Sequence, residues 1–335
     1  MRLPAGKVPP EVLEEIVFKR LGVESGDVLL GPSKGEDGAV VRVGSKVLVS
    51  SMDPITGAVE RLGWLAVNIN ANDVATFGVK PRFFSSCILL PSGAESGVLR
   101  EICNQIDSAA KKLGVAVIGG HSEVTPGLKH PIVVGYAFGV AEEGRYVTSG
   151  GAEAGDVIIL TKGAGIEGTA ILASERRERL SRELGEEVVK AAESFYDLIS
   201  VVEDALTAFK AGGVTAMHDP TEGGVAGGIH EIADASGLGF EVFEEKIPVA
   251  PETSMICSYF NVDPLQLIGS GALLISVKPE YAGKVLEALE SRGIRASKIG
   301  RFLPDPEKRI IVRGDGRAAE LVRPVSDHLW KALER

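Results

Sequence analysis

Four aspartates stand where a chain can present an acid to a ligand: Asp37 in Lys34-Gly-Glu-Asp-Gly-Ala39, Asp53 in Ser50-Ser-Met-Asp-Pro54, Asp73 in Asn70-Ala-Asn-Asp-Val74 and Asp219 in His218-Asp-Pro-Thr221. Each lies at an element end or beside small residues. Magnesium prefers oxygen ligands in octahedral geometry and is usually held by a few carboxylates together with phosphate oxygens, so acids drawn from distant segments suit a Mg²⁺-bound nucleotide. Helix and turn capping is the competing use of any one of the four alone, and only the combination points to metal. Asn68, Asn70 and Asn72 precede Asp73 in a stretch that reads as helix, although such side chains compete with the helical backbone. The face carrying Asn68 and Asn72 serves either a phosphate or metal-bound water, or a polar contact between helix and sheet.

Other motifs are weaker. Gly163-Ala-Gly-Ile-Glu-Gly168 has the GxGxxG spacing after a strand, but the charged residues 175–190 replace the second strand and acid of a dinucleotide fold. Its glycines serve either a phosphate or tight strand–helix packing. No GxxxxGK[ST] segment exists. Lys34 and Lys162 lie nearest to these acid and glycine segments and are either phosphate contacts or solvated charges. His121 and His218 are either proton carriers or hydrogen-bonded neighbours of the acids. Cys257 has no basic residue nearby in sequence and reads as an inert buried thiol.

The positioning elements follow from apolar spacing and turn residues. Val214–Met217 reads as a strand, Pro220 presets φ for a first helical turn, and Gly237 closes a glycine-rich helix over 223–236, so Asp219 occupies a strand-to-helix corner. Asp53 ends the second strand of a hairpin turned at Gly44-Ser45. A helix over 61–77 closed by Gly78 and Pro81 carries Asp73, followed by strand 83–90, helix 95–113 and strands 115–118 and 132–140. Pro9–Gly22 reads as a helix packing through Leu13, Ile16 and Val17. The apolar pattern lapses over 142–155 and then restarts: strand 157–161, helix near 166–174, a long helix over 186–210, strand 214–217, helix 223–236, strands 239–243 and 271–277, helix 279–292, and strands 294–302 and 308–313. The expectation is a two-domain α/β (α+β) chain, divided into residues 1–145 and 151–335.

With 44% hydrophobic residues, 41 glycines and a net charge of −10, the composition excludes disorder and disfavours nucleic acid or an acidic membrane as partner. An anionic ligand would need a mediating cation. Three scattered cysteines and no apolar run near the ~20 residues of a membrane span suggest a cytoplasmic protein.

The order of these segments resembles the superfamily that contains aminoimidazole ribonucleotide synthase, selenophosphate synthetase, thiamine-monophosphate kinase and a hydrogenase-maturation factor that dehydrates a carbamoyl group. The resembling pieces are Asp37-Gly-Ala-Val-Val41, Ser51-Met-Asp53, Asn70 to Pro81, Gly119-Gly-His-Ser-Glu123, Asp219 to Ala226, Glu231 to Gly237 and Ile247-Pro-Val249. The last three are nearest the maturation branch. The resemblance implies an N-terminal mixed sheet forming a barrel in a homodimer and a C-terminal α/β domain. It also implies ATP with Mg²⁺ on Asp37, Asp53, Asp73 and Asp219, of which Asp73 and Asp219 would be catalytic. Lys34, Asn70, Gly120, Glu123 and Gly223 would complete the nucleotide site. Partners would be a small-molecule substrate and a maturation protein. Two alternatives accompany this reading: an ATP-dependent ligase or kinase acting on a purine- or thiamine-type phosphate, and a low-turnover nucleotide-binding scaffold. Departures from the maturation branch are Glu36 and Gly38 at the first acid pair, Glu222 where arginine is common, and the absence of a cysteine after Cys257 where that branch ends in Pro-Arg-Ile-Cys. The expectation is a relative without the carbamoyl-carrying tail.

Overall fold

The computed structural model describes residue 3 and residues 6–56 and 60–334. Two sheets divide the chain. The first holds β1 (Val28–Leu30), β2 (Ala39–Val43), β3 (Lys46–Ile55), β4 (Pro81–Pro91), β5 (Ala116–Thr125) and β6 (Ile132–Glu142), in the order β1-β2-β3-β6-β4-β5. It is mixed, with β4 and β5 parallel and the other pairs antiparallel. The second holds β7 (Val157–Thr161), β8 (Val214–His218), β9 (Gly239–Phe243), β10 (Leu274–Val277), β11 (Ala296–Leu303), β12 (Arg309–Val312) and β13 (Ala318–Glu320), in the order β13-β12-β9-β11-β7-β10-β8. The first sheet is open in the single chain. Its edge strand β5 is exposed from Ala116 to Val124, Val117, Ile118 and Val124 included.

The Leu62–Thr76 helix is buried along its whole length, so its polar side chains must find partners inside the protein. Asn68 donates to the Trp64 carbonyl at 2.8 Å and Asn70 to the Ala66 carbonyl at 2.8 Å. Asn72 reaches the second half of the chain: its Nδ2 donates to the Ile199 carbonyl at 2.9 Å, and its Oδ1 accepts from the Val201 amide at 2.8 Å. An unmade bond at such a buried site costs about 1–3 kcal/mol, so Asn72 is a clasp between the two halves and not a ligand donor.

The same clasp explains why the helix expected over 186–210 is interrupted. It divides into Glu186–Glu193, a 3-10 turn Ser194–Leu198, and Val202–Ala211. The backbone of residues 198–201 is claimed from outside, by Asn72 and by the Lys162 ammonium, which donates to the carbonyls of Leu198 at 3.2 Å and Ser200 at 2.8 Å. Lys162 also donates to the Gly271 carbonyl and pairs with Asp204 at 3.0 Å, so it is a structural cation committed to backbone carbonyls and one buried acid. The N-terminal helix is likewise shorter than expected: Pro10–Val12 runs into a π-turn, Leu13–Val17, that leaves Ile16 and Val17 exposed. The glycines of the GxGxxG segment serve packing, since a Cβ on Gly168 would lie 2.4 Å from Leu267 and one on Gly163 would lie 2.8 Å from the Pro248 carbonyl.

Candidate functional site

Between the two sheets lies a cleft of about 800 Å³, lined among others by Asp37, Asp53, Asp73, His218 and Glu231. Asp37 comes from the loop before β2, Asp53 from the end of β3 and Asp73 from the buried Leu62–Thr76 helix. Asp219 follows β8 directly and lies beneath the lining, 1% exposed. The helix after it starts at Gly224, four residues beyond Pro220, so Pro220 belongs to the corner and not to the helix.

The first-sheet acids are held from behind. Asn70 brackets the Asp53 backbone, accepting from its amide at 2.8 Å and donating to its carbonyl at 3.3 Å. Gly135 faces Asp53 across the β3–β6 pair, and a Cβ there would lie 2.3 Å from Asn70 Nδ2; only glycine lets the bracket form. Ser51 Oγ donates to Asp73 Oδ2 at 2.7 Å, and the Asp53 and Asp73 carboxyls are close enough to share a proton.

Burial holds the Asp73 carboxyl far above the usual range, reinforced by the charges of Asp53, Asp219 and Asp37. Asp219 is pushed up to about 7, by burial first and then by Asp37. Asp53 is raised by burial, with Asp73 and Lys7 partly offsetting it. Neither oxygen of Asp219 has a hydrogen-bond partner among the described residues. A buried carboxylate without partners, repelled by three others, is costly unless a cation joins it.

The donor chemistry fits Mg²⁺, for which Asp37, Asp53, Asp73 and Asp219 would be the candidate oxygen ligands. Among the described residues no three acid, histidine or cysteine side chains close on one point. Mg²⁺ there would therefore have to complete its shell with waters and phosphate oxygens.

Several other charges of the cleft are already paired. His218 donates or accepts through both ring nitrogens, Nδ1 to Asp37 Oδ2 at 2.8 Å and Nε2 to Glu231 Oε2 at 2.9 Å. Burial disfavours its charge, but Asp37 and Glu231 outweigh burial and raise its pKa well above the ordinary value. Glu231 also pairs with Lys7 Nζ at 3.2 Å. Glu36 spends both oxygens on the Ser149 and Gly150 amides, tying the Asp37 loop to the segment that joins the two halves.

Four candidate nucleotide-site residues are engaged within the protein instead. Lys34 lines the cleft but pairs with Asp234 at 3.3 Å. The Gly223 amide is taken by Asp327 Oδ2 at 2.6 Å. The Gly119-Gly-His-Ser-Glu123 segment is no turn: β5 runs straight through it, away from the cleft. A Cβ on Gly120 would lie 2.1 Å from the Ser86 carbonyl, so this glycine permits β4–β5 pairing. Glu123 bonds Thr125 at 2.7 Å and His121 at 3.1 Å on the exposed strand.

Sequence reasoning passed over Ser51, Glu231 and Glu167, each of which contributes through a partner distant in sequence. Glu167 is a fully buried acid on the Ile166–Glu175 helix and lines the far end of the cleft.

Comparison with known proteins agrees with this architecture. Residues 35–141 match the N-terminal domain of AIR synthase related protein, and residues 153–313 match its C-terminal domain. A protein of Methanocaldococcus jannaschii named for hydrogenase expression/formation is 30% identical, over 92% of this chain and 91% of its own. Carbamoyl dehydratase HypE of Bradyrhizobium diazoefficiens is 32% identical, over 79% and 76%. The crystal structure of a hydrogenase maturation protein HypE in complex with ATP superposes with a TM-score of 0.73 at 21% identity, covering 98% of each chain. The chain belongs to the AIR synthase related family, and its relatives include the HypE hydrogenase-maturation proteins.

Proposed function

We propose that this protein binds Mg-ATP in the interdomain cleft and uses it to phosphorylate or dehydrate a small molecule or carried group, as an enzyme of the hydrogenase-maturation type. The observation that carries this reading is the meeting of four aspartates from both halves of the chain, one of them with two unpartnered buried oxygens. Bound there, Mg²⁺ would offset the phosphate charge and polarise the transferring phosphoryl group. The protein's own part is placement. Asn70 and Gly135 fix Asp53, Ser51 orients Asp73, and the Glu36 contacts set the two halves against each other. The Asp37–His218–Glu231 chain holds Asp37 in position through a charged imidazole.

ATP titrated into the protein should bind with Mg²⁺ and weakly with a chelator, and Asp73→Asn should lower the Mg-dependent affinity at least tenfold. An unchanged affinity in the variant would refute the assignment of the site.

The reading includes a homodimer joined through the first sheet, with a second copy covering the exposed apolar residues of β5. Sedimentation at micromolar concentration should give twice the chain mass; a monomer would reject it. A maturation partner protein and a cytoplasmic location, consistent with three free cysteines, belong to the same proposal.

A further inference from the structure

The far end of the cleft has its own chemistry. Glu167 and Ile171 lie four residues apart on one face of the Ile166–Glu175 helix, and both line the cleft together with Ile268, Glu222, Leu329 and Trp330. Glu167 is 3% exposed, and its Oε2 has no hydrogen-bond partner among the described residues; Ser270, fully buried behind the lining, interacts with the same carboxyl. Burial pushes the Glu167 carboxyl up to about 7, eased in part by Ser270 and reinforced by Asp327 and Glu222.

The neighbouring acids are occupied. Asp327 accepts from the Gly223 amide at 2.6 Å and the Leu329 amide at 2.7 Å, and Glu222 accepts from the Lys7 amide at 2.7 Å. Among the described residues no cation is paired to Glu167. Arg323, the arginine lining the cleft, is bonded to Asp234.

We infer that this end of the cleft is a subsite for the protonated amine of the acceptor, with Glu167 Oε2 receiving an N–H group, Ser270 holding that carboxyl from behind, and the apolar side chains receiving the carbon skeleton. Glu167 and Glu222 on the lining, with Asp327 behind them, repel a phosphate ester. A single free carboxylate oxygen is too little for a divalent cation, which takes several oxygen ligands, but it suits one directional N–H donor. The lining matches a ligand with a cationic head and a short apolar body. The inference rests on the Mg-ATP reading for its role in turnover, but not for the binding itself. It also weighs against a purine- or thiamine-type phosphate as acceptor.

The test titrates the full chain with n-butylamine, n-butanol and n-butyl phosphate at pH 7.5 by ligand-observed NMR, with Glu167→Gln and Ser270→Ala beside the wild type. The amine should bind at least tenfold more tightly than the alcohol, and the phosphate should not compete. Glu167→Gln should weaken the amine tenfold or more, and Ser270→Ala about threefold. Equal binding of amine and alcohol, competition by the phosphate, or unchanged amine affinity in folded Glu167→Gln would each overturn the inference and leave Glu167 a structural acid. Thermal melting establishes that the variants fold. ATP is titrated on the same samples, so a failure of nucleotide binding is read separately from a failure of the amine subsite.

Discussion

Asp219→Asn is expected to reduce Mg-dependent ATP turnover by on the order of 100-fold or more, while leaving the nucleotide-free protein at least as stable as the wild type at pH 8. The two effects have one cause. Both Asp219 oxygens are buried without partners and repelled by Asp37 and Asp53, so the wild-type carboxylate is a strained charge in the absence of a cation. Removing that charge relieves a penalty on the order of 4 kcal/mol, set against about 1–3 kcal/mol for the amide's own unmet bonds. It also deletes the second domain's contribution to metal binding, where several kcal/mol of charge stabilisation is at stake, and each 1.36 kcal/mol is tenfold in rate. Chemical denaturation at pH 8 and a steady-state phosphate-release assay measure the two quantities. Turnover at wild-type level, or an apo variant several kcal/mol less stable, would place Asp219 in the scaffold instead.

A second large effect is the direction of the stability–pH curve. Asp219 and Glu167, both raised to about 7, and Asp73, raised well above its ordinary value, bind protons more tightly when folded than when unfolded. Their favourable contribution is complete below the unfolded value near 4 and is lost as pH rises through the folded one. His218, also raised, adds loss in the same direction once it deprotonates. Glu231 acts oppositely: Lys7 and His218 overcome the burial that would raise it and pull its carboxyl down, so its contribution is lost only in strong acid. The nucleotide-free protein should therefore be most stable near pH 4–5 and weaken steadily towards pH 8, by on the order of 4 kcal/mol from Asp219 alone. Saturating Mg²⁺ and nucleotide should flatten the slope, since a bound cation favours the ionised acids. A denaturation series at pH 5, 6.5 and 8 measures it; stability rising with pH in the apo protein would show that these carboxyls are not strained.

Much of this arrangement was legible in the sequence. The Gly44-Ser45 turn, the helix closed by Gly78, and the corner at Asp219 all follow from local signals, and they bring Asp53 and Asp73 to the lining of one cleft and Asp219 just beneath it. What local reading could not give were the partners. Asn72 clasps residues 199–201 across more than 120 positions, and this contact, with Lys162, interrupts a helix whose apolar spacing is continuous. The Gly119–Glu123 segment carries a turn-like composition, yet pairing with β4 keeps it extended, because Gly120 lets the Ser86 carbonyl come close. Lys34 reads as a phosphate contact until Asp234 claims it. His218 reads as a bystander of Asp219 until Asp37 and Glu231 are brought to its two nitrogens from opposite halves of the chain. Each miss arises where tertiary contact, not local preference, decides the role of a side chain.

The most direct test of the shared Mg-ATP cleft is calorimetric titration of ATP into wild type and Asp73→Asn, each with Mg²⁺ and with a chelator. The expected result is tight, Mg-dependent binding in the wild type and a loss of at least tenfold in the variant, with little difference between the two proteins under chelation. Binding that ignores Mg²⁺, or an Asp73→Asn protein that binds Mg-ATP like the wild type, would contradict the account.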